Sequence, residues 1–290
     1  MVYKWTHPPA FGQWSALYHS NSSGLVLCPL ISCKLLGRLQ DLTETPTSDK
    51  MEEHFSALEP GGRHKPKECL SRSKVAIIVP IRDREENLRT FLYNIHQFLK
   101  RQQLYYGIYV VEQNDHAPFN NGRLMNIGFL EAFKQYDYQC FIFHDVDHIP
   151  LDDRNLYTCA EQPRHLSKHI ANKNYIGGTT AFTREQFETI NGFSNEFWGW
   201  GGEDNDVYNR IRYYGYNISR PAPYLTRYKL LEHKSSWRNP ERYKKLSSGR
   251  DRYQNDGINN IRIKYKLIDL VFKKLYTWIL VGKVNFKIIL

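Results

Sequence analysis

The chain has 290 residues, of which 41% are hydrophobic and 14% are aromatic, so it can bury a sizeable core. This composition argues against an intrinsically disordered protein. The 40 Lys and Arg residues outnumber the 30 Asp and Glu residues, and the formal net charge is +10. Such a basic surface attracts nucleic acid, an anionic membrane or a phosphorylated small molecule. The basic residues are densest at residues 229–274, where no nucleic-acid motif occurs, and we therefore predict no nucleic-acid partner.

The first 66 residues show no clean periodicity and are interrupted repeatedly by Pro, Gly, Ser and Thr. This pattern predicts a loosely structured, stem-like lead-in over residues 1–66 and one folded domain over residues 67–285. No run of 18 apolar residues occurs and no signal peptide precedes Cys28. The sequence therefore predicts no membrane-spanning helix.

From residue 75 onward, short apolar runs alternate with amphipathic segments. The apolar runs predict buried strands, the first of which we expect Pro80 to end, and the amphipathic segments predict helices. In chain order these are a strand at residues 75–79, a helix at 85–103, a strand at 106–111, a helix at 123–136 and a strand at 140–143. This order predicts right-handed βαβ units, and hence an α/β fold whose mostly parallel central sheet is covered by helices.

A pair of carboxylates, Asp145-Val146-Asp147, follows the third predicted strand. Ligands of open α/β sheets bind beyond the carboxyl ends of the strands, so this motif lies where a ligand is expected. Alternation along an extended segment places Asp145 and Asp147 on one side, where they could hold a divalent cation beside a diphosphate. A solvated loop is the alternative, because two aspartates at this spacing are common by chance.

A second cluster, Trp-Gly-Trp-Gly-Gly-Glu-Asp-Asn-Asp, occupies residues 198–206. Tryptophan faces suit stacking on sugar rings, glycines allow close backbone approach, and an acid can accept a hydroxyl proton. The alternative is a tight turn before a helix that Asp204 or Asn205 merely caps. His233 is a third candidate, because oxygen plus imidazole ligation suits Mn²⁺ among other metals, although a lone histidine is more often structural.

The five cysteines include no CxxC pair, so a zinc cluster is not expected. Two disulfides with one spare thiol in an oxidising compartment, or five reduced cysteines in a cytosolic enzyme, both fit this number. Asn217-Ile218-Ser219 and Asn21-Ser22-Ser23 are glycosylation sequons, which fit a secretory protein but also arise by chance.

These motifs, in this order, resemble the β-1,4-galactosyltransferase family over about residues 28–277. The Trp-Gly-Trp-Gly-Gly-Glu-Asp run is its most specific element. The resemblance implies a single GT-A (Rossmann-like) catalytic domain. It also implies an inverting, Mn²⁺-dependent enzyme that moves galactose from UDP-galactose to the 4-hydroxyl of a terminal N-acetylglucosamine. Its motifs are residues 75–84 (VAIIVPIRDR), 119–120 (FN), 124–129 (LMNIGF), 145–147 (DVD), 162–165 (QPRH), 177–178 (GG), 191–193 (NGF), 198–206 and 256–259 (DGIN).

The resemblance also implies roles for individual residues. Asp204 would be the base that takes the acceptor proton, Glu203 would bind the donor sugar, and Asp147 and His233 would hold Mn²⁺. The implied disulfides are Cys28–Cys69 and Cys140–Cys159. The implied donor-binding residues are Pro80, Arg82, Arg84, Phe119, Asp145, Val146, Asp147, Gly178 and Trp200. The implied acceptor-binding residues are Tyr175, Trp200, Asp204, Arg242, Tyr243 and Leu246.

Several positions depart from the family pattern. Leu230 stands where many members have a methionine metal ligand, which predicts weaker or water-completed metal binding, with Glu232 a poorer substitute. Asn121 stands where many members have arginine, and Arg123 is expected to compensate. The segment between residues 165 and 175 is shorter than in the best-known members, and the family's membrane anchor is missing from this chain.

Tyr175 precedes Ile176-Gly177-Gly178, where a bulky tyrosine is associated in the family with galactose rather than N-acetylgalactosamine. We therefore favour UDP-galactose as donor. The resemblance further implies a GlcNAc-terminated glycan on protein or lipid as acceptor and the Golgi lumen as the compartment. Two alternatives are a sister enzyme that uses UDP-N-acetylgalactosamine and a non-catalytic glycan-binding protein on the same fold.

Overall fold

The computed structural model describes residues 24–40, 45–167, 174–234, 237–261 and 265–283. The helices in these ranges are α1 (Ser48–His54), α2 (Glu85–Arg101), α3 (Asn121–Gln135), α4 (Arg184–Thr189), α5 (Glu203–Tyr213), α6 (Arg242–Ser247) and α7 (Ile258–Ile261). The strands are β1 (Lys74–Ile81), β2 (Tyr105–Gln113), β3 (Cys140–His144), β4 (His148–Pro150), β5 (Arg164–His165), β6 (Thr179–Thr183), β7 (Tyr228–Leu230), β8 (Tyr265–Phe272) and β9 (Thr277–Lys283).

The central sheet has seven strands in the order β5-β6-β3-β1-β2-β9-β8. Strands β3, β1, β2 and β9 are parallel neighbours, whereas β6 and β8 run antiparallel to the strands beside them. Strand β4, which follows β3 in the chain, forms a separate antiparallel pair with β7. The predicted α/β fold with a mostly parallel sheet is confirmed, and its parallel centre arises from the predicted succession of strand, helix and strand.

Helices cover both faces of the sheet because the strand side chains alternate between two apolar clusters. Ile77 and Val79 of β1 pack into the cluster that contains the apolar face of α2, whereas Ala76 and Ile78 pack into the cluster that contains α3. Helix α3 lies very close to the sheet at Gly128, where an added Cβ would stand 2.3 Å from Cγ2 of Ile78. A glycine is therefore required at this position for α3 to pack this closely against β1.

Pro80 does not end the first strand, as the sequence predicted, because β1 continues to Ile81. Pro80 pairs in register with Val111 of β2, whereas the pairing of β1 with β3 stops at Ile78. Proline lacks the backbone N–H that a ladder uses, but a strand that has lost one neighbour can accommodate it. Pro80 therefore lies at the carboxyl end of the strand, where ligands of open α/β sheets bind.

The segment from residue 45 to residue 66 differs from the loosely structured lead-in that the sequence predicted. Helix α1 buries Met51, and Phe55 and Leu58 follow it into the same core cluster as α2. The backbone of His64 exchanges two hydrogen bonds with Tyr106 of β2, of 3.0 and 2.9 Å. The three apolar residues have helical spacing, a signal that the frequent Pro and Gly obscured. The domain boundary at residue 66 stays a prediction.

Two disulfides have the pairing that the resemblance implies, Cys28–Cys69 and Cys140–Cys159. Cys33 is an exposed free thiol. The sequon at Asn217 lies on an exposed loop, whereas Asn21-Ser22-Ser23 falls outside the described residues. No helix among the described residues has the length and apolar content needed to cross a lipid bilayer.

Replacing Cys140 and Cys159 together by serine should lower the free energy of unfolding by about 3 kcal/mol, because the disulfide closes a loop of 19 residues in the unfolded chain. Urea denaturation followed by tryptophan fluorescence measures this change. The matched control is Cys33→Ser, which changes an exposed thiol outside both disulfides and should leave the midpoint in place. Equal midpoints for the double variant and the wild type would contradict the prediction.

Candidate functional site

A cavity of about 640 Å³ opens at the carboxyl ends of β1 and β3. It is bounded by the ends of these strands on one side and by the start of α5 on the other. Most residues that the sequence predicted for the site meet in its wall although they are far apart in the chain. They are Pro80, Arg82, Arg84, Phe119, Asp145, Val146, Asp147, Tyr175, Trp200, Glu203, Asp204, His233, Arg242, Tyr243 and Leu246.

Arg82 and Phe119 form one end of the cavity. The Arg82 guanidinium lies 5.6 Å from the Phe119 ring centroid and donates a hydrogen bond of 2.6 Å to the Ala117 carbonyl, which secures the loop after β2. Arg84 donates to the carbonyl of Lys234 at 3.0 Å. The result is an aromatic face flanked by cations, which suits an anionic ligand with a flat ring.

A turn after β3 brings Asp145 and Asp147 to the same wall of the cavity. The Asp145 N–H donates to the carbonyl of Gly178 at 2.8 Å, and the His148 N–H donates back to the Asp145 carbonyl at 3.2 Å. Gly178 has a φ of +82°, and an added Cβ would stand 2.6 Å from Oγ of Ser167. Gly178, predicted as a donor-binding residue, is not part of the cavity wall; its carbonyl instead accepts the hydrogen bond that positions Asp145.

The carboxylate of Asp147 lies between two imidazoles. Nδ1 of His148 is 2.8 Å from one oxygen, and Nδ1 of His233 is 2.9 Å from the other. Burial by itself would raise the pKa of Asp147, but the hydrogen bond and charge of His148, together with His233, hold it below its usual range. Burial raises the pKa of Asp145 to about 7, because His148 only partly offsets the loss of solvent. Oxygen and imidazole ligands in this arrangement fit a divalent ion of the first transition series.

Helix α5 begins at Glu203 and presents Glu203 and Asp204 to the cavity. Its N-cap is Gly202, with a φ of 108°, so the alternative in which Asp204 or Asn205 caps the helix is wrong. Oε2 of Glu203 is buried and has no hydrogen-bond partner among the described residues. A buried acceptor of this kind is costly unless a ligand donor satisfies it, which points to a hydroxyl of a bound ligand.

The two neighbouring carboxyl groups have raised pKa values. Burial, followed by the charge of Asp204, raises the pKa of Glu203 to about 8. Burial raises the pKa of Asp204 to about 6, although a hydrogen bond from the Tyr175 hydroxyl opposes it. A carboxyl that titrates near neutral pH is well matched to accepting a proton from an alcohol.

Asn121 lines the cavity, whereas Arg123, which the sequence predicted would replace the family's arginine there, does not. The Asn121 side chain lies near the carboxyl groups of Asp145 and Glu203 and lowers the pKa of both. Arg123 lies elsewhere, 5.7 Å from the Trp198 ring. The expectation that Arg123 compensates is therefore wrong, because residues two apart on a helix point to different sides.

The opposite wall presents aromatic rings with cationic neighbours. The Trp200 side chain is 53% exposed, and its backbone N–H donates to the carbonyl of Trp237 at 2.8 Å. The guanidinium of Arg238 lies 4.8 Å from the Trp200 ring, and that of Arg242 lies 4.5 Å from the exposed Tyr243 ring. Such rings can stack on the apolar face of a sugar.

His148 and Asn121 are among the wall residues that the sequence did not predict as site residues. His148 directly follows the Asp145-Val146-Asp147 motif, which was the available signal. Leu230 lines the cavity as expected, whereas Glu232 is exposed and is not part of its wall. The shortened segment between residues 165 and 175 falls mostly outside the described residues.

Sequence comparison identifies relatives along most of the chain. The family model for the N-terminal region of glycosyl transferase group 7 matches residues 28–160, and that for the N-terminal domain of galactosyltransferase matches residues 159–234. The chain is 42% identical over 268 residues to beta-1,4-galactosyltransferase 1 of Mus musculus, covering 89% of this chain and 67% of the relative. It is 40% identical over 274 residues to beta-1,4-galactosyltransferase 1 of Homo sapiens, covering 91% and 68%.

Structure comparison finds the same kind of protein. The catalytic domain of Drosophila beta1,4galactosyltransferase 7, solved in complex with xylobiose, matches with a TM-score of 0.63 and 29% identity. The match covers 73% of this chain and 95% of that chain. A mutant of the same enzyme, solved with manganese, UDP-Gal and xylobiose, matches equally well.

Proposed function

The chain belongs to the β-1,4-galactosyltransferase family, and on that premise we propose that it transfers galactose from UDP-galactose to the 4-hydroxyl of a terminal N-acetylglucosamine. The fold is that of a GT-A glycosyltransferase. The observation that carries the proposal is the single cavity in which Glu203 and Asp204 of α5 face the Asp145-Val146-Asp147 motif after β3. Asp204, as proton acceptor, and Asp147, as part of the site for a metal-bound diphosphate, thereby line the same cavity.

In the proposed reaction, Asp204 takes the proton from the acceptor hydroxyl as its oxygen attacks the anomeric carbon. The bond from that carbon to the new oxygen forms while the bond to UDP breaks, and UDP leaves as an anion. Attack from the face opposite UDP inverts the anomeric centre. The Tyr175 hydroxyl stands beside the Asp204 carboxylate and would help to orient it.

Donor binding is proposed for the strand-end side of the cavity. Phe119 would stack on the uracil, and the cations Arg82 and Arg84 would lie near the diphosphate. The unpartnered oxygen of Glu203 would accept a hydroxyl of the donor sugar. Asp147 and His233 would hold Mn²⁺, which when bound neutralises the charge of the diphosphate.

Acceptor binding is proposed for the wall that carries Trp200. Its exposed ring would stack on the N-acetylglucosamine ring, and Arg242, Tyr243 and Leu246 would surround the N-acetyl group. The Drosophila relative was solved in complex with xylobiose, a disaccharide, which supports a sugar as the second substrate.

Replacing Tyr175 by leucine should increase the use of UDP-N-acetylgalactosamine relative to UDP-galactose by roughly ten- to a hundredfold. Tyr175 lines the cavity beside Asp204, so a smaller side chain opens room for an acetamido group. Competition between the two labelled donors measures the ratio. Tyr224→Leu is the matched control, because it removes an exposed tyrosine outside the cavity wall and should not change the ratio. An unchanged ratio in Tyr175→Leu would show that this tyrosine does not select the donor.

The pH dependence of kcat/KM should report the ionisation of Asp204 in the free enzyme. Because burial raises its pKa to about 6, the carboxylate form predominates above that pH and is lost as pH falls through it. We therefore expect kcat/KM to fall about tenfold for each pH unit below that pKa. The test is to measure kcat/KM over about two pH units on either side of the expected midpoint. A midpoint near 4, the ordinary value for aspartate, would contradict the effect of burial.

The direct test of the proposed function is transfer of labelled galactose from UDP-galactose to a β-linked N-acetylglucosamine acceptor, with and without Mn²⁺. Metal-dependent product is expected. No product from folded protein, even with UDP-N-acetylgalactosamine as donor, would overturn the proposal and favour a non-catalytic glycan-binding protein.

We propose the Golgi lumen as the site of action. The two disulfides require an oxidising compartment, and the exposed sequon at Asn217 is accessible to glycosylation there. Glycosidase treatment of the secretory-pathway protein, followed by electrophoresis, should show a mass shift that Asn217→Gln reduces.

A further inference from the structure

His148 and Leu230 are directly opposite each other across the β4–β7 pair. Their Cα atoms are register partners, so side chains on the same face lie about 5 Å apart at Cβ. Both residues line the cavity, next to Asp147. The backbone of Asp147 also accepts a hydrogen bond of 2.8 Å from Leu231, which ties β7 to the acidic motif. An aliphatic side chain at position 230 offers no ligand atom, whereas the facing imidazole does.

The distances among Asp145, Asp147 and His148 are short enough for ligands that share one ion. Ligand atoms at about 2.1 Å from an octahedral cation lie roughly 3 Å from one another in neighbouring positions. Nδ1 of His148 and Nδ1 of His233 are 2.8 and 2.9 Å from the two oxygens of Asp147. The same nitrogen of His148 is 3.9 Å from an oxygen of Asp145. One ligand atom from each of Asp145, Asp147 and His148 lies within 4.8 Å of the others.

We propose that His148 is a direct ligand of the catalytic divalent cation, so that the ion is bound by the Asp147 carboxylate and by the imidazoles of His148 and His233. This inference rests on the proposed function, because that function implies the ion. It replaces the water-completed site expected from the sequence with a site of two imidazoles and a carboxylate. Such a set binds Mn²⁺ and raises affinity for ions that prefer nitrogen, such as Co²⁺ and Zn²⁺.

The other role open to His148 is that of a positioning residue, in which its ring only donates a hydrogen bond to Asp147. In that role the ring orients the carboxylate while the ion has one imidazole ligand, that of His233. The two roles differ in the number of nitrogens bound to the ion, and this number can be counted without any reaction.

The experiment measures Mn²⁺ binding to the full chain without donor or acceptor. Pulsed EPR of bound Mn²⁺ counts the coordinated imidazole nitrogens, and calorimetric titration gives Kd. The variants are His148→Leu, the double variant His148→Leu/Leu230→Met, and His116→Leu as a control that removes an exposed imidazole outside the cavity wall. Thermal melting checks that each variant is folded.

We expect two imidazole nitrogens in the wild type and in His116→Leu, and one in His148→Leu with a Kd raised at least about tenfold. Leu230→Met should restore much of the affinity in the double variant, because it places a thioether opposite the lost imidazole. One nitrogen in the wild type, or an unchanged Kd in His148→Leu, would overturn the proposal. The wild-type nitrogen count decides the matter even if a variant fails to fold. Two nitrogens with no galactose transfer would refute the proposed function and leave this inference standing.

Discussion

Asp204→Asn should lower kcat for galactose transfer by about 10²- to 10⁴-fold, while KM for both substrates changes little. Asparagine has nearly the same shape as aspartate but cannot accept the proton of the acceptor hydroxyl. The donor side, with Arg82, Phe119 and Glu203, is unchanged by the substitution. Steady-state kinetics with UDP-galactose and an N-acetylglucosamine acceptor gives both constants.

The stability of Asp204→Asn should be equal to that of the wild type or higher. The charge of Asp204 raises the pKa values of Glu203 and Asp145, so removing it relieves the repulsion on both. Asp137→Asn is the matched control, because it neutralises an exposed carboxylate far from the cavity and should keep full activity. A variant that retains most of its kcat would exclude Asp204 as the base. A variant that loses activity only because it melts at lower temperature would contradict the assigned role.

Asp147→Asn should abolish Mn²⁺-stimulated transfer, with a loss of about a thousandfold or more. The substitution removes the only negative charge that lies between His148 and His233 among the described residues. It leaves the imidazoles of His148 and His233 without the carboxylate that both of them contact. UDP binding measured by calorimetry with and without Mn²⁺ tests this expectation.

In Asp147→Asn, the affinity for UDP without metal should be close to that of the wild type, and only the gain on adding Mn²⁺ should disappear. Asp251→Asn, an exposed carboxylate on the surface, is the control that should keep the gain. If Mn²⁺ still strengthens UDP binding in Asp147→Asn, then the ion is held elsewhere and the metal site has been placed wrongly.

Local sequence patterns predicted much of the fold. Apolar runs and helical spacing predicted β1, α2, β2, α3 and β3 within a few residues, because hydrophobic periodicity reflects burial directly. The same patterns did not predict α1 or the continuation of β1 through Pro80. In both cases turn-forming residues obscured the pattern, and packing against the core overrode the local preference.

The sequence by itself determined the two acidic motifs, the α/β order of the elements and the family. These properties depend on which residues follow one another, and they can be read without coordinates. Only the tertiary structure decided that Asn121 lies beside Asp145 and Glu203, that Arg123 points away, and that His148 faces Leu230 beside Asp147. These relations join residues that are distant in the chain, and the register of β4 with β7 and the rotation of α3 set them through packing. The pKa values of Glu203 and Asp204 likewise arise from burial, which exists only once the cavity has formed.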